Sequence, residues 1–314
     1  IDCIVCGSCV ADVLVGPVRL DVPFGEGNVI AVDPIEVTTG GIVPNAGIAL
    51  ARLGMNVAAL GYLGDDPWAS TIRRRLSDEG IDTAALETHR GTGTTTAIVL
   101  IDAAGGRSFA YCPGATHRLD AAAFRRHLDL FARSRMALIG YYSLLPDLEP
   151  DLPEVLETIR RQGCRTALDS AGDGGRFEPL ERILPHVDVY VPSYNEAAQQ
   201  TGRREPETTL EAYRDAGAPG LGGVKRAETG ALLSPAAGCC VKVDPAPPPG
   251  AVVDTTGAGD CFYAGLLTGL LKDMDVATSG RLAAACGAYC VTGKGATTAA
   301  PTLPQAARLA GLRE

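Results

Sequence analysis

Residues Val252–Leu266 read VVDTTGAGDCFYAGL and carry the strongest local signal in the sequence. A β-like run ends at two threonines, and Gly-Ala-Gly then opens a predicted helix over 257–271. Small residues let a ligand approach the backbone closely. The free N–H groups of the first helical turn and the helix dipole together favour an anion. Asp260 lies in this turn, where a carboxylate can cap the helix or take part in chemistry.

Phosphoryl transfer to a hydroxyl group fits the same stretch. That reaction needs a base for the proton of the attacking hydroxyl and preorganised donors for the developing charge. The glycine-rich helix start supplies donors, and Asp260 supplies a base. The sequence contains no G-x-x-x-x-G-K-[ST] stretch, so it does not predict a P-loop.

Strand and helix patterns alternate along the rest of the chain, which predicts βαβ units and a mostly parallel sheet in an α/β fold. The Pro-rich stretch 245–250 is interpreted as a loop and not as a domain linker, because the alternation continues on both sides of it. The predicted strands are 3–10, 56–61, 136–139, 165–168 and 187–191, and the predicted helices are 45–53, 67–79, 152–162 and 195–201.

Two β-rich segments, 18–37 and 92–111, interrupt this alternation. The second has the pattern of a hairpin, with a turn over 103–106. The two segments could pack together as a small accessory sheet, or they could be separate surface hairpins.

Composition excludes several classes of protein. The 314 residues include 28 Lys+Arg and 37 Asp+Glu, a net charge of −9, which argues against a nucleic-acid-binding protein. A hydrophobic content of 46% argues against disorder. We find neither the roughly 18–20 uninterrupted apolar residues of a membrane helix nor the basic start of a signal peptide. A cytoplasmic protein without a membrane partner is expected.

The ten cysteines are scattered, which is typical of reduced thiols and not of a disulfide scaffold. Cys3, Cys6 and Cys9 have the spacing that opens an iron–sulfur motif, but no fourth cysteine follows at the required spacing. A buried strand is the favoured interpretation of this segment.

Residues 254–267 resemble the C-terminal signature of the ribokinase-like carbohydrate kinases, also called the phosphofructokinase-B family. Residues 40–66 resemble the N-terminal signature of that family in their Gly-Gly, Asn and Gly spacings, with departures at Val43 and Gly47, and Ala69 stands where a Gly often follows. The resemblance extends to about Pro301. It implies one α/β domain over 1–314, a three-layer sandwich whose small β lid is formed by about 18–37 and 92–111.

The resemblance also implies roles for individual residues on the acceptor side of the site. Asp260 matches the catalytic base, whereas Asp12 and Asn45 have alternative interpretations as a turn residue and a helix N-cap. Arg107 matches the return strand of the lid, where it could reach the substrate or remain an exposed arginine. The implied anion hole is Gly257, Ala258 and Gly259, and the implied substrate-binding residues are Asp12, Gly40, Gly41, Asn45 and Arg107.

On the donor side, the resemblance implies ATP and Mg²⁺ as cofactors. Asn195, Lys225 and Gly230 match nucleotide-binding positions. Because Ala198 replaces the usual Glu of the magnesium contact, either Glu196 substitutes for it or the metal is held mostly by the nucleotide. Asp254 and Thr256 match a monovalent-cation site, which would hold K⁺.

The predicted function is ATP-dependent phosphorylation of a hydroxyl group on a sugar or sugar-like molecule, by a protein that could form a homodimer through its lid. The stretch Gly140-Tyr141-Tyr142 stands where ribokinases carry an acidic ribose contact, which disfavours ribose. The low aromatic content of 5% favours sugars over nucleosides. A nucleoside kinase and a weakly catalytic sugar or nucleotide sensor stay open as alternatives. A dinucleotide-dependent oxidoreductase is disfavoured because G-x-G-x-x-G does not follow the first strand.

Overall fold

The computed structural model of the chain describes residues 1–21, 29–103, 106–172 and 174–312. The strands in these ranges are β1 Cys3–Gly7, β2 Val10–Val15, β3 Glu36–Gly40, β4 Val57–Leu63, β5 Asp82–Thr88, β6 Thr96–Ile101, β7 Arg107–Cys112, β8 Met136–Gly140, β9 Arg165–Leu168, β10 Val189–Tyr190, β11 Leu221–Lys225, β12 Ala231–Ala236 and β13 Cys239–Val243. The α-helices are α1 Ile42–Arg52, α2 Pro67–Asp78, α3 Ala121–Arg126, α4 Leu128–Ala132, α5 Leu152–Arg161, α6 Phe177–Ile183, α7 Tyr194–Thr201, α8 Pro206–Asp215, α9 Ala258–Leu271, α10 Val276–Cys290 and α11 Leu303–Leu309.

A nine-stranded sheet forms the centre of the fold, in the order β13-β12-β11-β10-β9-β8-β1-β4-β5. All strand pairs from β11 to β5 are parallel, and the two pairs at the β13 end are antiparallel. The predicted mostly parallel sheet is therefore confirmed. Polar groups placed just after its parallel strands meet at one edge, the edge where α/β proteins bind ligands.

Helices cover both faces of this sheet. Cys3 and Val5 of β1 belong to one buried cluster, which includes residues of α1, α9 and α10. Ile4 and Cys6 point to the other face and join a second cluster with α5. Side chains alternate across a strand, so a β1 that is buried on both faces identifies the middle layer of a three-layer sandwich.

Two of the three closely spaced cysteines near the N-terminus, Cys3 and Cys6, are buried residues of β1. Cys3 and Cys6 lie on opposite faces of the sheet, and burial raises the pKa of the Cys9 thiol to about 12. Among the described residues no group of three or more His, Cys, Asp and Glu side chains could hold a metal ion by itself. The buried-strand interpretation is correct.

A second, four-stranded sheet has the order β3-β2-β6-β7. The predicted segment 92–111 contains β6 and nearly all of β7. The segment 18–37 was misplaced, because β2 precedes it and only the start of β3 falls within it; residues 22–28 of that segment lie outside the described residues. The single strand predicted over 3–10 is also wrong, because Gly7 adopts a φ of +134°, a conformation that favours glycine, and the chain leaves the central sheet there.

The stretch 245–250 connects β13 to the loop before α9. Val243 at the end of β13 and Cys261 of α9 belong to the same buried cluster. The interpretation of this stretch as a loop is therefore correct. No helix within the described ranges is long and apolar enough to cross a membrane.

Helix α9 packs closely against α10 through glycines. A Cβ added at Gly265 would lie 2.8 Å from the Cα atom of Ala283, and one added at Gly269 would lie 2.7 Å from the Cα atom of Ser279. Nearly every α9 side chain is buried, which is typical of a helix that is apolar all round. The tight packing fixes the helix whose first turn carries Asp260.

We expect Gly269→Ala to lower the free energy of unfolding by about 1–3 kcal/mol, because the added methyl group must displace backbone atoms of α10. Gly47→Ala is the matched control. Its Cβ would lie 3.5 Å from the nearest atom of Ile81, an ordinary contact, and a helical Gly→Ala change stabilises by up to about 1 kcal/mol. Urea unfolding of both variants measures the difference, and equal stabilities would contradict the packing described.

Candidate active site

Asp260 is the buried centre of the site, with 5% of its surface exposed. Its Oδ2 atom accepts a hydrogen bond of 2.8 Å from the Asn45 side-chain amide. The Tyr141 hydroxyl donates to both carboxylate oxygens, at 3.0 Å to Oδ1 and 2.8 Å to Oδ2. Residues from α9, from α1 and from the turn after β8 thus meet at one carboxylate.

Close approach of α1 to the central sheet makes this meeting possible. A Cβ added at Gly140, the last residue of β8, would lie 2.2 Å from the Ile42 side chain in the first turn of α1. The glycine therefore leaves room for the helix. Asn45, which follows Ile42 by about one turn, then reaches Asp260 beside Tyr141.

Burial raises the pKa of Asp260 above its ordinary value. The hydrogen bonds from Asn45 and Tyr141 and the charge of Lys225 act in the opposite direction, whereas Glu196 raises the pKa further. A carboxyl group whose pKa is raised is better matched to general-base catalysis near neutral pH.

An ion pair lies next to this carboxylate. The ammonium group of Lys225, at the end of β11, is 3.0 Å from the Asp169 carboxylate, and both side chains are largely buried. Burial raises the pKa of Asp169 despite this contact. Burial acts to lower the pKa of Lys225, but the surrounding carboxylates outweigh it, so the pKa is raised and the group stays charged.

A cleft of about 1,120 Å³ opens beside the ion pair. All three predicted nucleotide-binding residues, Asn195, Lys225 and Gly230, line it. Gly230 has a φ of +90°, and an added Cβ would lie 2.0 Å from the Val243 carbonyl oxygen, so this position requires glycine. The cleft also has an apolar wall, formed by Ala246, Pro247, Val252, Phe262, Ala284 and Val291.

The start of α9 lies between the cleft and Asp260. Gly257 precedes the helix with a φ of +78°, and an added Cβ would lie 2.4 Å from the Cβ atom of Ala296. Gly259 faces Lys225, since a Cβ added there would lie 3.6 Å from the ammonium nitrogen. First-turn N–H groups have no intrahelical acceptor. Gly257, Ala258 and Gly259 therefore combine a helix start with a nearby positive charge, which is the arrangement that favours an anion.

Glu196 has a structural role as well as its predicted metal role. It forms a capping box with Ser193 at the start of α7, where its Oε2 atom accepts a 2.6 Å hydrogen bond from the Ser193 backbone N–H. Its side chain is 9% exposed, and its charge acts on both Asp169 and Asp260. Magnesium is commonly held by nucleotide phosphates plus one or two carboxylates, so these acidic groups fit a nucleotide-borne ion.

Four of the five predicted substrate-binding residues, all except Arg107, gather at the start of α1. A Cβ added at Gly40 would lie 2.2 Å from the Oδ2 atom of Asp12, so the glycine makes space for that carboxylate. Burial raises the pKa of Asp12 to about 6. Gly41 precedes α1 with a φ of +82°, and the buried Oδ1 atom of Asn45 has no hydrogen-bond partner among the described residues.

Arg107, Asp254 and Thr256 contact one another. Arg107 of β7 pairs with Asp254 at 2.8 Å and also donates to the Thr256 hydroxyl. The Asp254 carboxylate accepts further hydrogen bonds of 2.8 Å from the backbone N–H groups of Thr256 and Gly295. Burial acts to raise the pKa of Asp254, but these bonds outweigh it, so the pKa is lowered. Both carboxylate oxygens therefore accept hydrogen bonds within the protein, and a monovalent-cation site for K⁺ at Asp254 and Thr256 stays a prediction.

A family model described as pfkB family carbohydrate kinase matches residues 2–303. The chain belongs to the pfkB family. A fructokinase of Klebsiella pneumoniae is 30% identical to it over 313 residues, which cover 95% of each chain. A ribokinase of Haemophilus influenzae is 26% identical over 280 residues, 85% of each chain. The family confirms the predicted carbohydrate kinase.

Solved structures confirm the fold. Arabidopsis thaliana ribokinase complexed with ribose and ATP superposes with a TM-score of 0.88 at 23% identity, covering 99% of both chains. A nucleoside kinase of Burkholderia thailandensis in complex with inosine superposes with a TM-score of 0.80, also at 23% identity. The chain has the ribokinase fold, and its second sheet fits the lid.

Two residues of this kinase's site were not predicted from the sequence as site residues. Asp169 directly follows β9, and the rule that ligands bind at the carboxyl ends of parallel strands could have identified it. Tyr141 directly follows β8 and could have been identified in the same way. Its hydroxyl contact with Asp260 depends on the approach of α1 and α9, which no local pattern reveals.

We expect Gly257→Ala to lower the turnover of this kinase by about 10–100-fold, because the methyl group would collide with Ala296 and displace the first turn of α9 by a fraction of an ångström. Gly238→Ala is the matched control, since Gly238 has a similar φ of +71° but nothing within 4 Å of an added Cβ. Steady-state rates of both variants test the role of the helix start. Equal losses would indicate a general folding defect instead.

Proposed function

We propose that this kinase transfers the γ-phosphoryl group of ATP to a hydroxyl group of a sugar or sugar-like molecule, with Asp260 as the general base. The observation that carries the proposal is the buried Asp260 carboxylate, which lies in the first turn of α9 beside a large cleft. The same turn thus offers a proton acceptor to the hydroxyl and N–H donors to the phosphoryl group.

On the acceptor side, Asp12 and Asn45 bind the sugar. The buried Oδ1 atom of Asn45 finds no hydrogen-bond partner in the part of the chain that the structure describes. A sugar hydroxyl that donates to it would satisfy its hydrogen-bonding capacity. Gly40 and Gly41 let the sugar approach the backbone at the start of α1. The similarity to fructokinases makes fructose the first sugar to test.

On the donor side, the cleft binds ATP. Lys225 and the first turn of α9 attract the phosphates, while Asn195 and Gly230 line the same cleft. Magnesium, when bound with the nucleotide, offsets phosphate charge, and Glu196 and Asp169 are the carboxylates that would hold it directly or through water. The apolar wall of the cleft, which includes Phe262, suits the adenine ring.

The small sheet acts as a lid over the acceptor. Arg107 connects β7 to the loop before α9 through Asp254 and Thr256. A lid in contact with the phosphoryl-binding loop would exclude water from the reacting groups and limit the hydrolysis of ATP. Dimerisation through this sheet stays a prediction, which the exposed Val37 and Ile98 support.

We expect Asp260→Asn to lower turnover by about 10²–10⁴-fold, because the amide cannot accept the hydroxyl proton. ADP release over a panel of fructose, ribose, other sugars and nucleosides measures the loss, and calorimetry should find ATP binding nearly unchanged.

Asp12→Asn is the comparison variant, since it should act mainly on the sugar KM. Retention of more than a tenth of the turnover by Asp260→Asn would sink the proposed role of this residue. If no compound supports Asp260-dependent ADP release, the sensor alternative is favoured.

A nucleoside is the second candidate substrate, because two aromatic residues lie on the inner face of the lid. Side chains alternate along β7, so Arg107, Phe109 and Tyr111 share one face. Arg107 reaches the loop before α9. Ala97 of β6 pairs with Tyr111 on one side and with Asp12 of β2 on the other, so Tyr111 and Asp12 lie on the same face of the sheet. Phe109 and Tyr111 are 63% and 47% exposed there, as expected of aromatic rings that could stack on a base.

If a nucleoside is the substrate, we expect Phe109→Ala to lower kcat/KM for it by about 10–100-fold, the equivalent of one base–aromatic contact. Ile98→Ala, on the outer face of the same sheet, should leave kcat/KM unchanged. Full activity with fructose in both variants, together with no activity on nucleosides, would exclude the nucleoside assignment.

A further inference from the structure

Tyr141 adopts a backbone conformation that is unusual for its type. It directly follows β8 and has φ 59° and ψ 38°, in the left-handed region. A bulky residue in this region is strained, and the conformation persists only where the surrounding contacts hold it. Such residues concentrate at functional sites, so the contacts of this side chain are informative.

The two oxygen atoms of the Asp260 carboxylate accept different numbers of hydrogen bonds from Tyr141 and Asn45. Oδ2 accepts from Asn45 at 2.8 Å and from Tyr141 at 2.8 Å, whereas Oδ1 accepts only the longer Tyr141 contact of 3.0 Å among the hydrogen bonds of the described residues. An ionised carboxylate can accept about four hydrogen bonds. Oδ1 therefore keeps the capacity to accept a substrate hydroxyl.

We propose that Tyr141 is a positioning residue, whose phenol orients Oδ1 of Asp260 toward the incoming hydroxyl and stabilises the ionised carboxylate. This inference rests on the proposed role of Asp260 as the base. Tyr141 itself is not the proton acceptor, because its hydroxyl already donates to the carboxylate.

Several charged or titratable groups surround Asp260 besides Tyr141. Lys225 of β11 favours the ionised carboxylate, and Glu196 of α7 opposes it. Asp169 and the thiol of Cys261 lie within electrostatic reach. These groups stay in place when only the phenolic oxygen is removed. Any change in the proton affinity of Asp260 then results from the loss of its hydrogen bond to the Tyr141 hydroxyl.

In the pH–rate profile of phosphoryl transfer, the rate falls at low pH as Asp260 becomes protonated, and this fall is the acidic limb. Tyr141→Phe should move the acidic limb to higher pH. The hydrogen bond favours the ionised form, so its loss raises the pKa of Asp260 by about one unit. The observable is the single-turnover rate of phosphoryl transfer at saturating sugar and ATP, where Asp12 is already engaged by sugar. We expect a rate about tenfold lower than wild type at pH values below the limb, and a rate within a few-fold of wild type above it.

Tyr142→Phe is the matched control. The hydroxyl of this neighbouring residue donates to the Gly174 carbonyl oxygen at 3.2 Å and does not contact Asp260. Its removal should leave the position of the acidic limb unchanged, even if it lowers stability, because the limb does not depend on the amount of folded enzyme.

A second variant keeps the test valid if Tyr141→Phe does not fold. Replacement of Tyr141 by 3-fluorotyrosine retains the ring and strengthens the donor, so the acidic limb should move to lower pH, opposite to the Phe variant. An unchanged limb in the variants that fold would overturn the positioning role. If Asp260→Asn also retains turnover, the proposed function itself fails. If Asp260→Asn loses turnover but the acidic limb does not respond to changes at Tyr141, the proposed function stands and only this inference fails.

Discussion

The site depends on one buried carboxylate at the start of a helix. Asp260 is removed from water, and burial raises the pKa of its carboxyl group above the ordinary value. Hydrogen bonds from Asn45 and Tyr141 and the nearby ammonium group of Lys225 counteract that effect. A base needs this balance, since a fully solvated carboxylate binds protons weakly and an unsupported buried one is not ionised.

The packing of the fold maintains that balance. Gly140 lets α1 approach the sheet closely enough for Asn45 to reach Asp260, and Gly265 and Gly269 fix α9 against α10. The net charge of −9 would repel ATP, so attraction must be local. In the proposed function, Lys225 and the first turn of α9 provide it at the cleft, where the low dielectric of the surrounding protein strengthens each contact.

The sequence predicted those parts of the structure that depend on residues close together in the chain. The Gly257–Asp260 turn and the alternation of strands and helices are of this kind, and both were recognisable. The first strands of the small sheet were misplaced because only Ser8 and Cys9 separate β1 from β2, and no turn motif marks the point near Gly7 where the chain leaves the central sheet. The roles of Asp169 and Tyr141 were not predicted because they arise from contacts between distant segments, Asp169 with Lys225 and Tyr141 with Asp260.

The central claim is that Asp260 accepts the proton of the hydroxyl that is phosphorylated. A crystal structure of the enzyme with its sugar and a non-hydrolysable ATP analogue tests this most directly. We predict that the accepting hydroxyl lies about 2.6–3.2 Å from Oδ1 of Asp260 and in line with the bond to the leaving oxygen. A hydroxyl that instead hydrogen-bonds to Asp169 or Glu196, with Asp260 still held only by Asn45 and Tyr141, would contradict the account.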